Sequence, residues 1–467
     1  MTTPAIHREE FVYLVDVSHD RVLIGWGAFW FRQDERDGWL IVDDEALPEV
    51  AGRRTCIGDA AEPYGAARVE VLGQDGEIVA SGATDDRTWV WVEGLQPDTD
   101  YGYRVVVAGD EWAAGQRWDW VPSPRGGYDL APAGRSYDLR FHTAPPPDSP
   151  TPLLKFAAIG DYGVGIRSDS ESSRRQRRVA EVLERLVTDS EVRFVVSLGD
   201  NIYLGEQGEV GDESGAEDDE WYSSYYQPYR YVISRVPVYP TVGNHDAAEG
   251  ENSDDRAQME DNFHTVERFR DQQDRASVEP GLFYRWRYGA SVELVCLDTS
   301  HADDDSEADR FFQDDKHREW LEETFQPPED GLRWRIPFSH HPVYCAGPSH
   351  SNDVAMLETL VPLFERGGVR LVLAGHEHNF QLSEANDISY VVSGAGGKLR
   401  EGAPKDGFHK AHTTLWAEQS HLLLVELDED EARLTPVSAV LPDGRLHLMT
   451  ALTPQNEAAY PPFRVRL

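Results

Sequence analysis

The chain has 467 residues, of which 84 are Asp or Glu and 44 are Lys or Arg, so its formal charge at neutral pH is −40. A surface this acidic repels the backbone of nucleic acids, which excludes general DNA or RNA binding. It repels a phosphate substrate as well, unless bound cations reverse the local field. The length suffices for two or three domains.

The cysteines and the N-terminus bear on the compartment. Cys56, Cys296 and Cys345 show no paired spacing, which excludes a disulfide scaffold and indicates a reducing compartment. No basic segment followed by an apolar one opens the chain, and no apolar run is long enough to span a bilayer. We therefore expect a cytoplasmic protein with no membrane contact. Arg far outnumbers Lys, which fits either solubility in concentrated salt or a GC-rich genome.

The first third of the chain has the pattern of a β-sandwich. Apolar or alternating segments at 22–30, 67–72, 88–92 and 102–107 are separated by Gly, Asp and Pro. The sequence Gly-Leu-Gln-Pro-Asp-Thr-Asp-Tyr at 94–101 resembles the turn and strand of fibronectin type III domains, in which the Tyr buries its ring. We expect a fibronectin type III-like sandwich over residues 1–146. A short Pro-rich linker is predicted at 147–153.

The remainder, 154–467, alternates between predicted strands and helices. Strands are predicted at 156–159, 194–198, 238–242, 292–297, 335–338, 371–374 and 390–393, with further strands at 422–427 and 432–440. Helices are predicted at 174–188, 315–325 and 354–365. This alternation favours an α/β core with a largely buried sheet. Three acidic stretches, 205–220, 250–262 and 303–309, are predicted to be solvated loops.

Five short polar motifs in this second part each follow an apolar strand, where ligands gather in open α/β sheets. They are Gly160-Asp161-Tyr162-Gly163, Gly199-Asp200-Asn201-Ile202-Tyr203, Gly243-Asn244-His245-Asp246, Ser339-His340-His341-Pro342 and Gly375-His376-Glu377-His378. Carboxylates, an amide, a phenol and imidazoles together suit Fe(III), Zn(II) or Mn(II) rather than Ca(II) or Cu(I). They suffice for two ions, with one carboxylate as a bridge.

The same five motifs, in this order, resemble those of the purple acid phosphatase branch of the calcineurin-like metallophosphoesterases. The resemblance implies a four-layer α/β/β/α sandwich with two mixed sheets, here preceded by the all-β fibronectin type III-like domain. Tyr203 discriminates the branch, because most calcineurin-like enzymes lack a Tyr three places after this Asp. In the branch, charge transfer from the phenolate to iron gives the purple colour.

The resemblance also implies the ligands. The first ion, Fe(III) in the family, has the predicted ligands Asp161, Asp200, Tyr203 and His378. Asp200 is the predicted bridge. The second ion, which is Fe, Zn or Mn in the family, has the further predicted ligands Asn244, His340 and His376. His245 is the substrate-facing residue, placed to hydrogen-bond the phosphate or to protonate the leaving group.

Three more residues are predicted to lie behind these ligands: Asp246, His341 and His350. Asp246 follows His245 and is predicted to orient its imidazole. Either His340 or His341 can be the ligand, and the spacing to the following Pro favours His340. His350 either reaches the phosphate or is an ordinary loop residue.

These patterns predict a phosphatase that hydrolyses small phosphate monoesters through attack by a metal-bound hydroxide. A phosphodiesterase or nucleotidase with the same dinuclear site is the nearest alternative. A second alternative is a binding module in which the sandwich recognises a partner and the metal centre is vestigial, but no ligand is missing from the motifs. The oligomeric state is left open.

Overall fold

The computed structural model describes residues 5–34, 38–43, 45–123, 128–151, 153–168, 170–203, 218–246, 254–269, 282–300, 312, 315–404, 407–439 and 445–467. In the first part these include one short helix, α1 (Leu47–Ala51). The strands are β1 (Ile6–Val17), β2 (Arg21–Asp34), β3 (Gly38–Ile41), β4 (Ala67–Leu72), β5 (Ile78–Thr84), β6 (Trp89–Glu93), β7 (Asp100–Val107), β8 (Asp110–Glu111), β9 (Trp118–Pro122), β10 (Tyr128–Pro132) and β11 (Arg140–His142).

These strands form the predicted β-sandwich. One antiparallel sheet joins β1, β2, β3 and β6, and the other joins β11, β7, β4 and β5 with β8 at its edge. Along β7 every second residue is buried, so one face of the strand packs in the core. Tyr101 at the start of this strand is 7% exposed, and its hydroxyl accepts a 2.9 Å bond from the Gln96 N–H. The fibronectin type III-like expectation is confirmed.

The second part contains the remaining elements. Its strands are β12 (Leu154–Ile159), β13 (Val195–Ser197), β14 (Val238–Tyr239), β15 (Tyr284–Tyr288), β16 (Val292–Cys296), β17 (Trp334–Ser339), β18 (Leu371–Ala374), β19 (Phe380–Ala385), β20 (Ile388–Ser393), β21 (Thr413–Ala417), β22 (His421–Leu427), β23 (Glu431–Ser438), β24 (His447–Leu448), β25 (Ala451–Leu452), β26 (Ala458–Ala459) and β27 (Phe463–Arg466). Its helices are α2 (Glu171–Asp189), α3 (Asp218–Trp221), a π-helical turn (Tyr222–Tyr226), α4 (Gln227–Ile233), α5 (Asp254–Asn262), α6 (Thr265–Arg268), α7 (Asp315–Thr324), α8 (Val354–Arg366) and α9 (Gly407–Lys410).

Two mixed sheets pack face to face. The first runs β14-β13-β12-β22-β23-β24, with β27 beside β23, and the second runs β15-β16-β17-β18-β20-β19-β21-β25-β26. Side chains from both sheets, such as Phe156 and Leu294, share one apolar core. Helix α2 packs on the outer face of the first sheet, and α7 and α8 pack on the outer face of the second. The predicted four-layer α/β/β/α order is confirmed.

Local sequence explains the two long helices. Ser170 accepts a bond from the Ser173 N–H and begins α2, while Asp353 accepts from the Met356 N–H and begins α8. In α2 the buried residues Val179, Leu183 and Leu186 recur at helical spacing, so one face meets the sheet.

Two of the three loop predictions are wrong in part. Residues 254–262, inside the acidic stretch predicted as a loop, form helix α5. Its residues Met259 and Asn262 are buried, so tertiary contacts stabilise a helix that its polar composition does not predict. Residues 218–220 of the first stretch are helical as well, at the start of α3. The remaining parts of the predicted loops, 205–217, 250–253 and 303–309, lie outside the described residues.

The sandwich and the α/β part share an apolar core. Phe11, Phe29 and Phe31 contact the rings of Tyr222 and Tyr226 at centroid distances of 4.9 to 6.1 Å. The predicted boundaries, 1–146, 147–153 and 154–467, stay a prediction. Of the helices in the described residues, none combines the length and apolar character that crossing a membrane requires.

Candidate metal centre

The candidate ligands lie at the carboxyl ends of strands. Asp161, Asp200 and Asn244 follow the parallel strands β12, β13 and β14 of the first sheet. His340 and His376 follow the parallel strands β17 and β18 of the second. Because the strand ends of both sheets meet at one edge, side chains far apart in sequence converge there. The potential ligand atoms of Asp161, Asp200 and His340 lie within 4.8 Å of one another, as do those of His340, His341 and His376.

Three of these residues have a left-handed backbone. The φ angles of Asp161, Asp200 and His376 are 56°, 52° and 69°, values that L-residues with a side chain rarely adopt. Strain of this kind persists where the surroundings enforce it, and it is concentrated at functional sites. Gly243 packs against Asp200 so closely that a Cβ would overlap its backbone nitrogen and its carboxylate. The strand-end glycine therefore permits the approach that the motif requires.

One half of the site gathers nitrogen and oxygen atoms of four side chains at short distances. The His340 Nδ1–H donates to the Leu198 carbonyl at 2.8 Å, which fixes the ring so that Nε2 faces the centre. That Nε2 lies 2.9 Å from Asn244 Oδ1, 3.3 Å from Asp200 Oδ1 and 3.2 Å from His376 Nδ1. Burial and the neighbouring His341 and His340 lower the pKa of His376, which keeps this imidazole neutral too. Converging acceptors with a ring fixed through its other nitrogen fit a bound cation.

The other half centres on a buried phenol. The Tyr203 hydroxyl lies 3.2 Å from Asp161 Oδ1 and 3.2 Å from His378 Nε2, and these two acceptor atoms are 3.2 Å apart. Burial and then Arg400 lower the pKa of His378 to about 4, so its ring is neutral. Burial and the carboxylates of Asp161 and Asp200 raise the pKa of Tyr203. A cation at this point would reverse that shift and favour the phenolate. The donor set fits a hard metal ion.

The remaining predicted residues surround this centre. The His245 N–H donates to Asp200 Oδ1 at 3.1 Å, and its ring lies 4.5 Å from the Tyr203 ring. Asp246 accepts bonds of 2.8 to 3.2 Å from the N–H groups of Asn201, Ile202 and Gly243 and from the Asn201 side-chain amide. Its carboxylate therefore ties the loops after β13 and β14 together. That Asp246 also orients His245 stays a prediction.

The two further histidines contact His376. The His341 ring lies 4.4 Å from the His376 ring, and its Nδ1 is 3.1 Å from the Thr299 hydroxyl oxygen. The His350 ring stacks on His376 at 3.9 Å. The structure thus brings every predicted site residue to one edge of the two sheets.

Sequence reasoning missed three residues. Glu377 is fully buried, accepts the His350 N–H at 2.8 Å and lies 3.5 Å from Arg400 Nη1. It stands between the two histidines of the last motif, which was the signal for it. Lys398 lies with Nζ 4.6 Å from the centre of the Tyr203 ring, and its N–H donates to the Asp161 carbonyl at 3.0 Å. Lysine is rare in this chain, which was a weaker signal. Arg400 had none.

Comparison with known proteins decides the family. The sequence model of the calcineurin-like phosphoesterase family matches residues 154–380, a range that contains all five motifs. Residues 154–380 form a calcineurin-like phosphoesterase domain. The chain is therefore a hydrolase of phosphoric esters, as the motifs predict.

The relatives lie in the purple acid phosphatase branch, which confirms the predicted resemblance. Tartrate-resistant acid phosphatase type 5 of Homo sapiens is 26% identical over 318 residues, covering 62% of this chain and 89% of that protein. Purple acid phosphatase 3 of Arabidopsis thaliana is 24% identical over 301 residues, covering 60% and 73%. These relatives imply a dinuclear metal centre in the phosphoesterase domain.

Solved structures support the fold. The structure of PhoD has a TM-score of 0.61 at 14% identity and covers 96% of this chain and 90% of that one. The purple acid phosphatase PPD1 of yellow lupin (Lupinus luteus) has a TM-score of 0.58 at 13% identity and covers 96% and 74%. Both alignments extend through the sandwich as well as the phosphoesterase domain, because they cover nearly the whole chain.

Proposed function

We propose that the chain is a phosphomonoesterase with Fe(III) in one metal position and Fe, Zn or Mn in the other. The residues that would hold Fe(III) are Asp161, Asp200, Tyr203 and His378. The residues that would hold the second ion, with Asp200 as the bridge, are Asn244, His340 and His376. The observation that carries the proposal is the convergence of carboxylate, amide and imidazole atoms of Asp200, Asn244, His340 and His376 at 2.9 to 3.3 Å.

The chain's own residues position the substrate and move the proton. Two bound cations would supply Lewis acidity, neutralising phosphate charge and lowering the pKa of water. His245 is half-buried, its N–H is held by Asp200, and its ring lies beside Tyr203. An imidazole at this place is within reach of a phosphate ester held at the centre, so it can donate the proton that the leaving alkoxide needs.

Positive side chains favour the monoester over the diester. Lys398 and Arg400 flank the two halves of the centre, and His350 stacks on His376. In a chain of charge −40 these are the groups that attract an anion locally. A monoester dianion carries more charge than a diester monoanion and gains more from them.

A substrate panel on the metal-loaded protein tests this proposal. We expect kcat/KM for p-nitrophenyl phosphate to exceed that for bis(p-nitrophenyl) phosphate by at least about tenfold, the effect of roughly one charge-assisted hydrogen bond. Nucleoside monophosphates are measured beside them to detect a nucleotidase. A preference for the diester would replace the proposal with the phosphodiesterase alternative. Metal-loaded protein that hydrolyses no ester would support the vestigial site.

A further inference from the structure

Three buried polar side chains recur at every second position from the last ligand motif into β19. Glu377, Asn379 and Gln381 are each 0 to 1% exposed. Asn379 and Gln381 are not among the predicted ligands, and Glu377 lies between two of them. Because a polar group is buried at a cost unless it is hydrogen-bonded, the partners of these three side chains show what the row does.

All three side chains bond to the backbone of the loop that carries His350. Asn379 Nδ2 and Gln381 Nε2 each donate to the Gly347 carbonyl at 3.1 Å. Glu377 accepts the His350 N–H at 2.8 Å. The loop is therefore tied to the segment that follows the ligand motif, and backbone bonds as well as ring stacking set the place of His350.

Glu377 differs from the other two because its carboxylate also contacts two side chains. His350 Nδ1 lies 2.9 Å from Glu377 Oε2, and Arg400 Nη1 lies 3.5 Å from each carboxylate oxygen. The two nitrogens are 3.2 Å apart. The Arg400 backbone is fixed as well, since its N–H donates to the His378 carbonyl at 2.9 Å. One buried carboxylate thus holds an imidazole and a guanidinium together.

The imidazole and the guanidinium are accessible where the carboxylate is not. The side chains of His350 and Arg400 are 36% and 26% exposed, against 0% for Glu377. The His350 ring stacks on His376, a predicted ligand of the second ion, at 3.9 Å. Within the described residues the hydrogen bonds of the guanidinium all use Nη1, which leaves Nε and Nη2 for a ligand. Guanidinium groups bind tetrahedral oxyanions through such paired donors.

We propose that Glu377 is a positioning residue that holds Arg400 and His350 against the phosphate of the substrate. This role rests on the proposed phosphatase function and adds to it a residue that touches neither the metal ions nor the substrate. Because Glu377 is fully buried, it acts through the two side chains that it fixes. A guanidinium already held in place loses less freedom on binding than a mobile one, so its bonds to phosphate add more to affinity.

The direction of the effect separates this role from two simpler ones. If Glu377 contributes only negative charge, Glu377→Gln makes the surroundings more positive and tightens the binding of an anion. If it only supports the fold, the variant loses stability, and its folded fraction keeps the affinity of the wild type. Positioning predicts weaker binding, because Gln still accepts the His350 N–H but no longer offers two charged oxygens to Arg400.

Calorimetry with inorganic phosphate on the metal-loaded full chain measures the affinity without relying on activity. In Glu377→Gln we expect the Kd of phosphate and the KM for p-nitrophenyl phosphate to rise about tenfold, as for the loss of one charge-assisted hydrogen bond. The metal content should stay complete, and kcat should change less than about threefold. Glu293→Gln is the matched control, because Glu293 is a buried acid 2.6 Å from Arg335, and its Kd should equal that of the wild type.

A double-mutant cycle tests whether Glu377 acts through Arg400. Once Arg400→Met has removed the guanidinium, Glu377→Gln should weaken phosphate binding by less than about threefold. A wild type that binds no phosphate, an unchanged or lower Kd in Glu377→Gln, or full additivity in the cycle would each overturn the positioning role.

A second pair of variants keeps the test decisive if Glu377→Gln does not fold or loses its metal. Arg400→Met and His350→Ala should then each raise the Kd of phosphate, and together they should raise it by less than the product of the two effects, because one carboxylate holds both groups. A combined effect equal to that product would contradict the role. A protein that binds phosphate with these effects but hydrolyses no ester would instead reject the proposed function.

Discussion

Among the buried acids of the described residues, Glu9 and the pair Asp161 and Asp200 have opposite surroundings. At the junction of sandwich and phosphoesterase domain, Glu9 is fully buried and lies 2.8 Å from Arg230 Nη1, with a 3.1 Å bond from the Trp118 N–H. Arg230 also pairs with Asp119 and donates to the Trp118 carbonyl at 2.6 Å. This cluster contains its own cation.

At the metal centre the buried carboxylates of Asp161 and Asp200 lie instead beside imidazoles, a phenol and backbone N–H groups. Asp161 Oδ1 is 3.2 Å from His378 Nε2 and 3.2 Å from the Tyr203 hydroxyl, and Asp200 Oδ1 is 3.3 Å from His340 Nε2 and accepts the His245 N–H at 3.1 Å. The difference shows how a structural ion pair can be told from a site: a buried acid whose cation belongs to the chain holds elements together, and one whose cation is missing from the side chains awaits a ligand.

The largest expected effect is at Asp200, the predicted bridge between the two metal ions. Asp200→Asn should lower kcat/KM for p-nitrophenyl phosphate by at least about 1,000-fold, because a neutral amide cannot bridge two cations. Metal content by mass spectrometry should fall with activity. Glu9→Gln, which removes an equally buried acid, is the control and should keep its metal. An Asp200→Asn protein with full metal and activity would remove the basis of the ligand assignment.

For the buried pair of Glu9 and Arg230, we expect substitution to lower stability rather than activity. At pH 8, Arg230→Met should lower the free energy of unfolding by about 3–5 kcal/mol, because it leaves a buried carboxylate without its partner. Urea unfolding of the metal-loaded protein measures the change. Arg464→Met removes an exposed partner of Glu431 and should cost at most about 1 kcal/mol. Equal effects of the two variants would contradict the buried-pair interpretation.

The same cluster predicts a pH dependence. Burial raises the pKa of Glu9 from 4.5 to about 7, in spite of the opposing charge of Arg230. Between these values the unfolded chain loses the proton and the folded chain keeps it, so the free energy of unfolding falls as the pH rises from about 4.5 to 7. The loss is about 3 kcal/mol at about 1.4 kcal/mol per unit.

Comparing wild type with Glu9→Gln isolates this contribution, because other titrating groups are common to both proteins. The wild type should lose stability relative to the variant across this interval and run parallel to it above pH 8. A difference that does not vary with pH would show that Glu9 stays ionised throughout.

Tyr203→Phe tests whether iron supplies the missing cation. The metal-loaded wild type should absorb in the visible range through phenolate-to-iron charge transfer, and the variant should lose the band. We expect kcat/KM to fall only about tenfold, because the other ligands remain. An absorption spectrum with metal analysis measures both. A colourless wild type with two Zn or Mn ions would keep the hydrolase and reject Fe(III).

The smallest expected effect is at Lys398, whose ammonium group lies beside the metal centre. Lys398→Met should raise KM for p-nitrophenyl phosphate by a few-fold, roughly 1 kcal/mol, with little change in kcat, since the ammonium beside Tyr203 attracts the substrate without taking part in the reaction. The effect should shrink at high salt. Lys410→Met, a change of equal charge on helix α9, is the control.

The sequence alone determined the two-part architecture and the edge at which the ligands meet. The alternation of apolar and polar residues in β7 and the apolar runs before Asp161 and Asp200 are local patterns. Consecutive residues determine both the periodicity of a strand and the glycine that ends it. The same locality explains the error at α5, where polar residues 254–262 carry no helical stripe and become a helix only through contacts with other elements.

Tertiary structure alone decided which groups share a proton or a cation. Asp246 ties two loops together, and Glu377 holds His350 against His376; both contacts depend on which strands become neighbours. Hydrogen bonds and charge pairing act over about 3 Å between atoms that are distant in sequence. No pattern of neighbouring residues specifies such distances, so the cation that is missing at one cluster and present at the other appears only in the folded chain.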